Sequence, residues 1–97
     1  MQPTQKYYEA DAYRREADAV ILAAEPDGRG GGKLALDGTV FYPEGGGQPA
    51  DHGTLTLPDG ARLTVTDVHE QGGVIWHRVD ALPDTPAPGT AVTGRID

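Results

Sequence analysis

The chain has no cysteine, and only one methionine, one tryptophan and one phenylalanine. Without cysteine it can build neither a disulfide framework nor a thiolate zinc site from its own residues. It is also short of positive charge, with eight Lys and Arg against fifteen Asp and Glu and a formal charge of −7. A protein that holds nucleic acid by itself gains most of its affinity by neutralising phosphates. A chain with this balance is therefore expected not to bind nucleic acid autonomously. No apolar run approaches the roughly 20 residues that span a bilayer. Met1 to Lys6 is polar, with no apolar stretch after it, so no signal peptide is read. The expectation is a soluble, cytoplasmic protein with no membrane partner.

What the chain does have is turn formers, fourteen glycines and eight prolines in 97 residues. That density implies one domain crossed by many turns, built from strands rather than long helices. Lys6 to Arg15, "KYYEADAYRR", reads as irregular or one helical turn, with Tyr7, Tyr8 and Tyr13 as packing anchors. Glu16 to Glu25 has the alanines of a helix, but Val20, Ile21 and Leu22 form a compact apolar run ended by "PDGRGGG". Strand is the preferred reading. Lys33 to Asp37 returns as a second strand with Leu34 and Leu36 inward, followed later by "GTLTL", "ARLTVTDVH", "VIWHRVD" and "TAVTGRID". Leu63, Val65 and Val68 mark a half-buried face, and Leu82 to Gly89 is a proline-stiffened connection. Six or seven short strands separated by turn signals predict an all-β fold, a small antiparallel β-barrel or a sandwich. A barrel suits so small a domain because closure removes exposed strand edges.

Several motifs carry no chemistry on inspection. "DGRGGGK" has Asp27 and Leu34 where a phosphate loop needs glycine and a hydroxyl residue, and no helix pattern follows it. It reads as a flexible hairpin turn. His52, His69 and His77 lack the helical pair spacing of zinc sites, so they read as solvent-facing or hydrogen-bonded. Trp76 reads as core or rim packing. Glu44 and Asp51 flank a second glycine cluster and are either a carboxylate pair or turn acceptors.

That second cluster, "VFYPEGGGQPADHGTL" from Val40 to Leu55, is different in kind. A hairpin needs one or two glycines, and this one has three followed by a glutamine. Phe41 and Tyr42 tie its leading edge to the core, and Pro43 and Pro49 stiffen entry and exit. Gly45, Gly46 and Gly47 are expected to leave three successive N–H groups bare, a concave donor surface suited to an oxygen or an anion. Gln48 adds an uncharged donor and acceptor. A wide, bulged hairpin is the plain alternative.

The stretch "LDGTVFYPEGGGQPADHGTL" resembles the N-terminal β-barrel of the alanyl-tRNA editing proteins (AlaX) and the matching part of the alanyl-tRNA synthetase editing domain. Leu36, Asp37, Thr39, Phe41, Tyr42, Glu44, Gly46, Gly47, Gln48, Asp51 and Gly53 occupy that family's loop pattern. The opening segment, "VIWHRVD" and "VTGRID" are also similar, so the likeness covers essentially the whole chain. It implies a translation-factor-type barrel packed against an α/β catalytic half, which holds zinc through an HxxxH pair with a later Cys and His. That half hydrolyses the ester of serine or glycine mischarged onto alanine tRNA. Neither HxxxH nor cysteine occurs here. The resemblance therefore implies no catalytic and no metal residue in this chain, with the zinc-binding half expected after Asp97. What it implies for these residues is a loop, Gly45 to Gln48, facing the tRNA 3′ end, supported by Thr39, Phe41, Tyr42, Glu44 and Asp51. "FYPEGGGQP" is similar to the freestanding type more than to the synthetase type. A stand-alone scaffold module that kept the barrel and lost the enzyme is the rival reading. "GGQ" also occurs in peptide-chain release factors, but the acidic, aromatic flanks here argue against them.

Overall fold

The computed structural model describes all 97 residues. The elements are β1 (Gln5–Lys6), α1 (Tyr7–Ala10), β2 (Glu16–Pro26), β3 (Gly32–Leu36), β4 (Gly38–Thr39), β5 (Gly53–Thr56), β6 (Arg62–Gln71), β7 (Val74–Val79) and β8 (Ala91–Ile96). Six of the strands close into an antiparallel barrel in the order β2-β3-β7-β6-β5-β8, with β8 pairing back onto β2. The expected all-β barrel is therefore what forms. Its strands are less uniform than expected, since β2 runs 11 residues and β6 runs 10. No helix is long and apolar enough to cross a membrane.

Alternation of apolar and polar residues sets the inner face. Ala17, Ala19 and Ile21 of β2, Leu63 and Val65 of β6, and Ile75 and Val79 of β7 are buried in one core with Leu34, Leu36, Val40, Phe41, Leu55 and Val92. Two long strands carry an irregularity that shifts the pattern by one residue, between Ile21 and Ala23 in β2 and between Val65 and Asp67 in β6. Beyond the first, Ala24 packs on the core while Leu22 and Ala23 pack outside. Beyond the second, Val68 rather than Asp67 faces inward. Such bulges bend a strand and increase its twist, which lets six strands close.

Trp76 lies on the outer face in a small cluster with Ala35 and Val74, as rim packing. The Lys33 ammonium sits 4.5 Å from its ring centroid. The N-terminal segment is strapped to the barrel by Thr4, whose hydroxyl donates to the Leu36 carbonyl (2.7 Å) and accepts from the Ile75 N–H (2.8 Å). Tyr7 and Tyr8 pack against the core from α1. Tyr13 does not, contrary to expectation, being 93% exposed. It follows Asp11, whose carboxylate takes the Tyr13 N–H in a local turn that carries the ring outward. "DGRGGGK" is the expected turn, closed by Asp27 Oδ1 accepting from the Arg29 and Gly31 N–H groups.

Candidate functional site

The segment between β4 and β5 crosses one end of the barrel and is held at several points. Phe41 is fully buried, and its ring meets His77 edge-on at 5.3 Å. Gly94 of β8 lies beneath it, where an added Cβ would stand only 3.1 Å from the Phe41 ring. Tyr42 and Asp51 clamp the two legs together. The Tyr42 N–H donates to Asp51 Oδ2 (2.9 Å), and the Asp51 N–H donates to the Tyr42 carbonyl (3.0 Å). Asp51 is thus a turn acceptor and not half of a carboxylate pair. Glu44 supports the loop through its backbone, its N–H donating to the Val68 carbonyl of β6 (2.8 Å), while its side chain is exposed. Tyr42 is half exposed and packs on Tyr8, ring centroids 5.0 Å apart. Burial, and then the nearby Glu70 and Glu9 carboxylates, push the Tyr8 phenol up to about 12.

Below the loop runs a buried chain of hydrogen bonds that the sequence did not announce. His77 Nδ1 faces the Leu34 carbonyl (3.2 Å), which can only accept, so this nitrogen carries the proton. Nε2 is then the acceptor, and the Thr39 hydroxyl donates to it (2.7 Å). The Thr39 oxygen in turn accepts the Phe41 N–H (3.0 Å). The middle link, from the Thr39 hydroxyl to Nε2, requires a neutral imidazole. Burial, partly opposed by the bond to Leu34, lowers the His77 pKa to about 4. His77 alternates with Ile75 and Val79 along β7, and that spacing was the available signal for an inward histidine.

The tip is tighter than a bulged hairpin. Gly45 and Gln48 exchange backbone hydrogen bonds at 3.1 and 2.9 Å, and Gly46 and Gly47 between them have φ of +56° and +84°. Positive φ at both central residues is the signature of a type I′ turn. Three bare N–H groups were expected; two remain, on Gly46 and Gly47, because Gly45 gives its own to Gln48. The Gln48 carboxamide is exposed and makes no hydrogen bond within the chain.

The third glycine is not required by this geometry. A Cβ on Gly45 would meet nothing within 4 Å, and its φ is not positive. The β6–β7 turn is an internal control, because Gly72 and Gly73 have nearly the same φ values, +59° and +84°, and Gln71 precedes them. Gly45→Ala is therefore expected to change stability by less than about 0.5 kcal/mol. Gly46→Ala and Gly47→Ala should each cost about 1 kcal/mol for a left-handed alanine. Urea denaturation of the three variants separates these outcomes.

The site so assembled is an exposed donor surface flanked by the exposed Glu44 carboxylate, with no Ser, Thr, Cys or His among residues 44–49. His69 lies on β6, one register position from His77 on β7, but no group of three His, Asp or Glu converges to hold a metal ion. A family model described as tRNA synthetases class II (A) matches residues 10–97. The chain belongs to that family. The alanine–tRNA ligase of Natronomonas pharaonis is 46% identical over 97 residues, covering 97% of this chain and 10% of the relative. That of Halobacterium salinarum is 46% identical over 98 residues with the same coverage. That of Pyrococcus furiosus is 46% identical over 91 residues, covering 94% of this chain and 9% of the relative. This class II (A) synthetase-family barrel thus spans about a tenth of the length of these relatives.

Proposed function

We propose that this barrel is the non-catalytic half of an aminoacyl-tRNA hydrolase that removes serine or glycine mischarged onto alanine tRNA. In this reading the glycine turn faces the esterified 3′ end. The observation that carries it is the turn itself, with two unpartnered N–H groups, a free Gln48 carboxamide and a first glycine that the fold does not need. Those donors suit an oxygen of the terminal ribose or of the ester. Bare backbone at Gly45 suits close approach by a second surface. Relatives named alanine–tRNA ligases support alanine tRNA as the substrate class and a ligase-type parent, over the freestanding type suggested by "FYPEGGGQP".

Activation of water falls to an α/β partner half, in the same polypeptide or in another, working in the cytoplasm. The zinc that the resemblance implies does not fit the residues of this chain. There is no cysteine, and both ring nitrogens of His77 are engaged. In the full-length protein, Gln48→Ala is expected to lower the deacylation rate of mischarged alanine tRNA about tenfold, the worth of one hydrogen bond to the reacting end. Zinc content and the charging reaction should stay unchanged. Unaltered deacylation would overturn the reading.

A further inference from the structure

With fifteen carboxylates for eight cations, a surface cation of this chain has acidic partners in excess. Lys6, Lys33 and Arg78 take them, on Glu70, Glu25 and Asp27 at 2.9, 3.9 and 3.8 Å. Of the five cations outside these pairs, Arg14, Arg15 and Arg95 gather in one open depression where β2 begins and β8 ends. Glu16 and Asp97 line the same depression, yet Arg14 and Arg15 are oriented by main-chain oxygens rather than by side-chain carboxylates. Arg14 Nε donates to the Glu16 carbonyl (3.1 Å), and its guanidinium lies 4.8 Å over the Tyr7 ring. Arg15 donates to the main-chain oxygen of Asp97 (2.9 Å). Each uses one of its five N–H donors in this way. Two guanidiniums are thus positioned and the third, on Arg95, lines the same depression, while their charge and most of their donors stay available to an anion from outside.

Their position ties this cluster to the glycine loop. The Asp97 N–H donates to the His52 carbonyl on the exit leg (2.9 Å), and Ile96 pairs with Gly53. On the entry leg, the half-exposed Tyr42 ring packs on Tyr8, the sequence neighbour of the Tyr7 that carries Arg14. The loop is therefore flanked by an exposed aromatic face on one leg and by three unpaired arginines on the other. Arginines for the backbone and an aromatic face for a base are the means by which proteins hold single-stranded nucleic acid. An acidic protein segment would suit the arginines but would leave the Tyr42 face unexplained.

From this geometry we infer that Arg14, Arg15 and Arg95 form a phosphodiester-binding cluster for a single-stranded RNA end that runs to the glycine turn. The identity of that strand as the 3′ end of a tRNA rests on the function proposed above; the phosphate cluster does not. Autonomous binding departs from the expectation, drawn above from the −7 charge, that the chain does not hold nucleic acid by itself; the local cluster makes the contact weak rather than absent. At about 0.1 M salt the screening length is about 10 Å, so distant carboxylates are damped while the three arginines act at contact.

The test is a titration of the isotope-labelled 97-residue chain with a six-nucleotide single-stranded RNA ending in CCA, at 0.1 M salt, read by amide and arginine Nε–H shifts. Shifts should concentrate at Arg14, Arg15, Arg95 and Tyr42 to Gln48. Arg14→Glu with Arg95→Glu should weaken binding at least about tenfold, as loss of two charge-assisted contacts requires. Arg62→Glu, at an unpaired arginine elsewhere, should not. Arg14→Gln with Arg95→Gln supplies the same comparison should charge reversal disturb folding. Absence of shifts, equal loss in Arg62→Glu, or the same shifts from a hexaglutamate peptide but not from RNA would each overturn the inference. Persisting RNA shifts beside unaltered Gln48→Ala deacylation would remove the editing reading and leave the cluster standing. Lowered deacylation without RNA shifts would do the reverse.

Discussion

Phe41→Ala is expected to lower the free energy of unfolding by about 3–5 kcal/mol, the cost of deleting a fully buried aromatic ring. The ring is 0% exposed, set edge-on to His77 and lying over Gly94. Those neighbours belong to hydrogen-bonded barrel strands, so they cannot collapse into the space left behind, and a cavity term adds to the lost transfer energy. A 97-residue chain has a total stability of about 5–15 kcal/mol on the usual per-residue scale. The substitution therefore removes a large part of it. Phe41 also begins the glycine loop, so the same deletion should loosen the tip, seen as faster amide exchange at Gly46 and Gly47. Urea denaturation followed by Trp76 fluorescence measures the first effect. A loss below about 1 kcal/mol would show that the ring does not anchor the loop.

Acidification acts on the neighbouring link. The unfolded chain protonates His77 near 6.5, whereas the folded chain holds it neutral down to about 4. Between those values the unfolded state binds more protons, so stability rises with pH. The contribution is whole above about pH 6.5 and is lost as the pH falls through about 4. The full span corresponds to about 3 kcal/mol. Protonation does more than charge a buried ring. Nε2 would then carry a hydrogen and could no longer accept from Thr39. The Thr39 O–H would have to rotate to another acceptor, while its oxygen took both the Nε2–H and the Phe41 N–H. Urea midpoints for the parent chain and for His77→Gln between pH 7 and pH 4 should converge as the parent loses this term. A parent curve with the same slope as the variant would count against it. Direct observation of the His77 ring proton by NMR should show no titration above about pH 5.

The two effects concern residues of unequal visibility in the sequence. Phe41 stands at the head of a turn motif beside an apolar run, and its role as an anchor was legible. His77 alternates with Ile75 and Val79, but a histidine inside a barrel is stable only with partners for both nitrogens. Those partners, Thr39 and Leu34, are 38 and 43 residues away in the chain. The glycine tip was half legible. Positive φ at Gly46 and Gly47 follows from residue type and turn chemistry. The exchange between Gly45 and Gln48, which removes one of the three expected donors, depends on which residues of the loop face each other. Tyr13 was misplaced for a related reason, since an aromatic near other aromatics looks like an anchor until a local turn at Asp11 carries it outward.

By itself, the sequence determined that the fold is all-β, roughly where its barrel strands run and where the main turns fall, because alternation and glycine or proline chemistry act over a few residues; its count of six or seven strands missed the two-residue pair β1 and β4. It also determined the excess of negative charge. The tertiary structure alone decided that β8 closes on β2, and that bulges after Ile21 and Val65 turn Ala24 and Val68 inward. It also brought Arg95 beside Arg14 and Arg15, at the foot of the glycine loop. Each of these depends on register between strands far apart in the chain, and register is set by the packing of the closed barrel as a whole.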